Sequence, residues 1–282
     1  MSRERTSEAG ATERDRTIEA RFAERVEMVV PTRHNEKLAR PIERVNADDE
    51  LYALWVAANV TAIDRLSMSD HGPVHVKIVM NLAVRMLRLL TDRGVQPSVC
   101  ADYGMERQDA EVVVALAALF HDVGMSIQRS DHEDFSLFVA QDKLTELLRE
   151  VYPLPQATIL RSEILHAIIA HHSGGRPLTL EAGIVRIADA LDMAKGRSRI
   201  PFEKGSTSIH SISAAAIENV KLEPGKEKPV RVIIEMSNSA GVFQLDELFR
   251  HKLKGSGVEE HIELEAAVLG EEEKRLVDQF EL

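Results

Sequence analysis

The run Glu111-Val-Val-Val-Ala-Leu-Ala-Ala-Leu-Phe120 carries one polar side chain, at its start, and leads straight into His121-Asp122-Val123-Gly124. A segment apolar on every side has to be buried. An imidazole beside a carboxylate at the end of such a segment bears a desolvation cost that calls for a partner. A bound cation satisfies both groups, because neutral imidazole and ionised carboxylate are good metal ligands. The chain is therefore expected to fold around this run and to bring further ligands to its end.

The 282 residues suffice for one large domain or two ordinary ones, and the aromatic content of 4% points to a globular protein with an aliphatic core. Cys100 is the single cysteine, so no intrachain disulfide can form and a reducing, cytoplasmic setting is expected. The first thirty or so residues alternate Arg with Glu and hold no continuous apolar stretch, so no signal peptide is expected. No segment has the length of a membrane span. A net charge of −11 argues against a long nucleic-acid footprint, which is normally basic, but leaves room for a small anionic substrate where cations gather locally.

Residues 1–17 read as a disordered tail, and 18–45 as an N-terminal helix and loop. The helix is expected over Ile18–Val30 and the loop between Pro31 and Pro41. Residues 46–204 carry helical patterning throughout. One helix is expected from Asn46 through Ile63, and one from the Ser69-Asp70 cap and Pro73 to Gly94. The buried helix opens near Asp109, and another covers Asp131–Val151, broken by Pro153 and Pro155. Helices over Thr158–His171 and Leu180–Ala194 follow. Residues 205–282 change character to an α+β pattern. A strand at Ser208–Ile212 precedes a short helix at Ala214–Ala216, strands near Ile217–Leu222 and Val230–Met236, a helix over Val242–Leu253 and a strand at Ile262–Val268. That is a ferredoxin-like βαββαβ order.

His75 lies in the first turn of its helix and Asp189 on the helix Leu180–Ala194. Together with His121-Asp122 they give the order His … His-Asp … Asp on three separate helices. This order resembles the HD superfamily of metal-dependent phosphohydrolases, with the local signatures His75-Val-Lys-Ile-Val79, Phe120-His-Asp-Val-Gly124 and Ile187-Ala-Asp-Ala-Leu191. The resemblance covers roughly residues 70–200. It implies a mainly α fold with an all-helical core and one divalent ion held by His75, His121, Asp122 and Asp189. Such a mixed N/O set suits Mn²⁺, Fe²⁺, Co²⁺, Ni²⁺ or Mg²⁺ better than a thiolate zinc site. A bound ion lowers the pKa of a coordinated water and offsets charge developing on phosphorus.

Asp192, one turn beyond Asp189, is expected to support a ligand rather than act as one. His132, His166, His171 and His172 are candidates for a second ion or for phosphate contact, as some HD subfamilies use histidines from these regions. At about 100° per residue His166 and His171 point about 140° apart, so one helix face cannot present both equally, and His171 is preferred. Asp122, His171 and His132 are the expected catalytic residues, and a histidine with a pKa near neutrality suits proton transfer to the leaving group. His71 is expected to make a local contact. Lys195, Arg197, Arg199 and Lys204 form a basic stretch just past Asp189 and are expected to bind phosphate. Arg129 and Arg176 are weaker candidates, by proximity alone.

The chain departs from HD-GYP phosphodiesterases where Ser173-Gly-Gly-Arg-Pro177 replaces their signature. It departs from the alarmone hydrolases where Met125-Ser-Ile-Gln128 replaces an acidic pair. The expectation is thus a phosphohydrolase acting on a small phosphorylated compound, foremost a nucleotide, in a cytoplasmic homo-oligomer without membrane or long nucleic-acid partners. The competing expectation is a non-catalytic nucleotide-sensing or scaffolding protein whose metal site is structural. A nuclease acting on RNA or DNA ends comes third.

Overall fold

A computed structural model describes residues 17–23, 25–33, 35–172, 174–194 and 213–269. Its helical body is built around α6 (Arg107–Phe120), the apolar run of the sequence. Ala110 and every residue from Val112 to Phe120 are fully buried. Each buried Val or Leu contributes about 1.5–3 kcal/mol relative to exposure. Glu106 and Asp109 form a reciprocal capping box at the start of α6. At its other end the Trp55 indole N–H donates to the Leu119 carbonyl at 2.9 Å, satisfying one of the last carbonyls that a helix leaves unpaired. Glu111, the polar exception in the run, accepts a forked pair of hydrogen bonds from Arg88.

The helices α4 (Pro73–Asp92), α8 (Leu154–Ala170), α9 (Leu180–Leu191) and α2 (Glu36–Ala47) pack around α6. Against α8 lies α7 (His132–Arg149), while α3 (Asp49–Asn59) and a short α5 (Ser98–Tyr103) complete the body. The expected helical character of 46–194 holds wherever residues are described. Several boundaries differ. The N-terminal helix, α1, covers Ile18–Ala23, and the chain then runs extended, with Met28 and Val30 buried and Val29 exposed between them. That alternation has the period of a strand, and Asn46 fixes it by accepting from the Met28 N–H and donating to its carbonyl. The loop expected between the prolines is instead α2, which carries Pro41 inside it and is capped by the Asn35 side chain. The helix expected over Asp131–Val151 ends at Arg149, ahead of Pro153 and Pro155, which start α8, a position where a missing N–H costs nothing. The helix α4 starts at Pro73 with Gly72 as cap, and Asp70 caps the Gly72 N–H instead.

Past residue 213 a helical turn leads into β1 (Ile217–Pro224), β2 (Val230–Met236) and β3 (Ile262–Val268). β1 and β2 form an antiparallel hairpin, and β2 pairs in parallel with β3, Val230 opposite Ile262. The α+β character is as expected. The ferredoxin-like order is not, because it requires a strand between the two that here pair directly. The expected strand 208–212 and the basic stretch Lys195, Arg197, Arg199 and Lys204 lie outside the described residues. The helix expected over Val242–Leu253 forms, wound as a π-helix over Gln244–Phe249 and closing in α10 (Arg250–Leu253). Val230, Val232, Ile234 and Met236 turn inward and share one apolar cluster with the helical body, and Arg85 of α4 donates to the Leu222 carbonyl of β1. Among the described residues no helix is long and apolar enough to cross a membrane.

Candidate metal centre

Helix ends build the centre. His75 is the third residue of α4, and His132 is the first of α7. His121 and Asp122 follow the last turn of α6, His171 caps α8, and Asp189 lies in the last turn of α9. Three helices therefore point their carbonyl ends, the negative poles of their dipoles, at one spot, which favours a cation there. Local chemistry holds the turn after α6 in place. The Gly124 N–H donates to Ser136 Oγ, and that hydroxyl donates to the His121 carbonyl, tying the turn to α7. A Cβ on Gly124 would stand 2.0 Å from the His132 carbonyl oxygen, so only glycine lets α7 come this close.

Four donor atoms converge on one side of Asp122. His75 Nε2 lies 3.2 Å from His121 Nε2, 3.3 Å from Asp122 Oδ2 and 3.4 Å from Asp189 Oδ1. His121 Nε2 lies 3.2 Å from Asp122 Oδ2 and 3.7 Å from Asp189 Oδ1. Ligands held about 2.1 Å from one ion stand about 3.0–3.4 Å apart at right or tetrahedral angles. His75, His121 and Asp122 therefore fit a single divalent ion in both chemistry and spacing, with Asp189 beside them. The other oxygen of Asp122 faces a second group, with Oδ1 3.1 Å from His132 Nε2 and 3.5 Å from His171 Nε2. Asp122 thus belongs to two of the three groups able to hold a metal among the described residues, one with His75 and His121 and one with His132 and His171, while the third joins His121, His171 and Asp189.

Each of these four histidines turns Nε2 into the centre, and His75, His121 and His171 fix Nδ1 on an acceptor, whereas His132 Nδ1 meets both an acceptor and the Arg129 guanidinium. His75 Nδ1 meets Asp192 Oδ2 at 2.6 Å, and His121 Nδ1 meets the Ala118 carbonyl at 2.8 Å. His171 Nδ1 meets the Ile168 carbonyl at 2.6 Å, and His132 Nδ1 meets Glu133 Oε2 at 3.0 Å. A proton held on Nδ1 leaves the Nε2 lone pair aimed inward, the arrangement that metal-binding histidines require. Asp192 is placed as expected, behind a ligand. His71 makes its local contact with the Ser69 carbonyl at 2.7 Å.

Electrostatics fit the same picture. Burial disfavours a charge on His121, but the Asp122 and Asp189 carboxylates overcome it and raise its pKa to about 9, so a proton occupies the space between the carboxylates. Burial, with repulsion from His121, lowers His171 to about 4, which leaves it a neutral donor. Against the pull of burial, the surrounding imidazoles hold Asp122 well below the usual carboxylate range, and Lys252 and the imidazoles do the same for Asp189.

Not every candidate joins the centre. His166 accepts from the Leu178 N–H at 2.9 Å and is thereby turned onto the loop before α9, away from the cluster. The half-exposed His172 lies at the rim, with Nδ1 3.4 Å from Glu133 Oε1. Arg129 Nη1 is 2.9 Å from His132 Nδ1, whereas Arg176 is exposed. Two members of the surroundings escape sequence reasoning. Glu133 is an acidic residue in a first helical turn and looks like an ordinary capping charge. Lys252 of α10 donates to Asp189 Oδ2 from 63 residues away, a separation that no local signal bridges.

A helical body that closes His … His-Asp … Asp into one buried cluster, with the second imidazole and first carboxylate adjacent in sequence, defines a metal-binding domain of the HD kind. The HD domain family model matches residues 74–194, a span that contains His75, both residues of the His-Asp pair, Asp189 and Asp192. The uncharacterised protein MJ1020 of Methanocaldococcus jannaschii is 40% identical over 223 residues, which cover 79% of this chain and 85% of that protein. The chain belongs to the HD-domain family, and with it to a superfamily of metal-dependent phosphohydrolases.

Proposed function

We propose that this protein is a phosphohydrolase that uses bound divalent ions to cleave a phosphomonoester or phosphodiester of a small molecule, foremost a nucleotide. The observation that carries the reading is the buried convergence of four Nε2 atoms on the two oxygens of one carboxylate, Asp122. His75, His121, Asp122 and Asp189 would hold one ion, and Asp122, His132 and His171 a second. Mn²⁺ leads the candidates because the donors are imidazole and carboxylate without thiolate. Bound ions supply an acidified water and positive charge against the phosphoryl oxygens.

The remaining work falls to the chain. Asp192 keeps the proton of His75 on Nδ1. Burial of the donors excludes bulk water, which strengthens every charge interaction at the centre. His172, at the rim, would exchange a proton with the leaving oxygen. Lys195, Arg197, Arg199 and Lys204 follow shortly after Asp192 in sequence and would add cations for the phosphate. The acidic whole favours a small substrate over a long nucleic acid. The single cysteine fits a cytoplasmic setting, and the chain would act as a homo-oligomer.

The test is turnover. The full chain is supplied with Mn²⁺, Mg²⁺, Co²⁺ or Ni²⁺ and a panel of nucleotides and phosphomonoesters, with free phosphate and chromatographic products both read. Hydrolysis by the native chain and none by a folded Asp122→Ala variant is expected. No turnover with any metal, in a protein that still binds metal and nucleotide, would replace this reading with the sensing or scaffolding one.

A further inference from the structure

The segment beyond the helical body reaches into the centre. Along α9, Gly183, Arg186 and Asp189 each meet the segment 252–256. A Cβ on Gly183 would stand 2.1 Å from the Ser256 carbonyl oxygen, so the turn after α10 lies directly on α9. The buried Arg186 donates through Nε to the Lys252 carbonyl at 3.0 Å and through Nη1 to the Gly175 carbonyl at 2.7 Å. It thereby joins α10 to the loop that follows His171 and His172. Asp189 accepts from the Lys252 ammonium. A buried guanidinium is costly to desolvate, and here it fixes the backbone of Lys252.

Exposure shows which way the centre opens. The side chains of His75, His121, Asp122, His132 and His171 are at most 4% exposed, whereas Asp189 is 10%, Lys252 18% and His172 36% exposed. Lys252 is a cation on this more exposed side, in contact with Asp189. Coordination through Oδ1 would neutralise much of the Asp189 charge and weaken its hold on the ammonium, leaving a cation at the mouth with hydrogen-bond donors to spare.

We propose that Lys252 is a substrate-binding residue that takes a phosphoryl oxygen at the open side of the centre, so that the C-terminal segment supplies part of the phosphate site. The inference rests on the phosphohydrolase reading and adds a named cation to it. Its test is calorimetric titration of the Mn²⁺-loaded full chain with inorganic phosphate, beside a separate titration of the metal-free chain with Mn²⁺. Lys252→Met is expected to weaken phosphate binding at least tenfold while Mn²⁺ binds as tightly as before or more tightly, since a like charge has been removed. Lys252→Arg is expected to retain phosphate binding within a few-fold. Lys252→Gln gives the same comparison should the Met variant unfold. Unchanged phosphate binding in Lys252→Met would overturn this inference and leave the phosphohydrolase reading intact. A loss of Mn²⁺ binding instead would also overturn it, by making Lys252 a support for Asp189. Absence of phosphate binding in the native chain would remove the phosphohydrolase reading, and this inference with it.

Discussion

Asp192 holds His75 Nδ1 at 2.6 Å and so decides which nitrogen faces the centre. Asp192→Asn keeps the size of the side chain but can present an N–H where an acceptor is needed. Metal affinity is expected to fall about 10- to 100-fold with the fold intact, as measured by competition with a chromophoric chelator. Affinity equal to that of the native chain would show that His75 is oriented by packing alone. His121 offers a test of a different kind. Its pKa in the ion-free fold is about 9 against an ordinary 6.5. A raised folded pKa contributes stability that is complete below 6.5 and is lost as pH climbs through 9. Over that window the ion-free protein should lose about 3 kcal/mol. Thermal unfolding in the presence of a chelator should show the melting temperature dropping between these pH values. A melting temperature that holds or rises would contradict the proton placed between Asp122 and Asp189.

At the scale of elements, the centre depends on α7 lying hard against the turn that follows α6. Gly124→Ala puts a methyl group 2.0 Å from the His132 carbonyl and 2.5 Å from the Ser136 N–H nitrogen, both backbone atoms that cannot swing aside. A destabilisation of about 1–3 kcal/mol is expected from such overpacking, read as a lower urea midpoint. An unchanged midpoint would mean that α7 is not held where the structure places it. Much of this arrangement is legible in the sequence. The apolar run, the His-Asp pair at its end and the 3.6-residue stripes lie within single elements, where spacing determines which residues share a face. What is not legible comes from contacts between elements. Pro41 and Pro155 read as breakers until their places within a capped helix and at a helix start are known. Residues 26–30 read as helical because their apolar positions satisfy that period, but Asn46 holds them extended. The neighbour of β2 could not be read either, since strand order follows from packing against α4 rather than from strand pattern.

Across the whole molecule, the helical body and the sheet share one apolar cluster, and the centre draws on both. The body supplies six donor residues, and the part beyond residue 213 supplies Lys252 at the open side. Binding of substrate should accordingly be sensitive to how α10 sits on α9, although no donor of the centre lies on α10. The account turns on Asp122 serving two ion sites at once, through Oδ2 toward His75 and His121 and through Oδ1 toward His132 and His171. Native mass spectrometry of the full chain saturated with Mn²⁺ counts the ions directly. Two per chain are expected for the native protein, one for a His132→Ala variant, and none for Asp122→Ala. A single ion in the native protein, unaffected by loss of His132, would contradict the shared carboxylate.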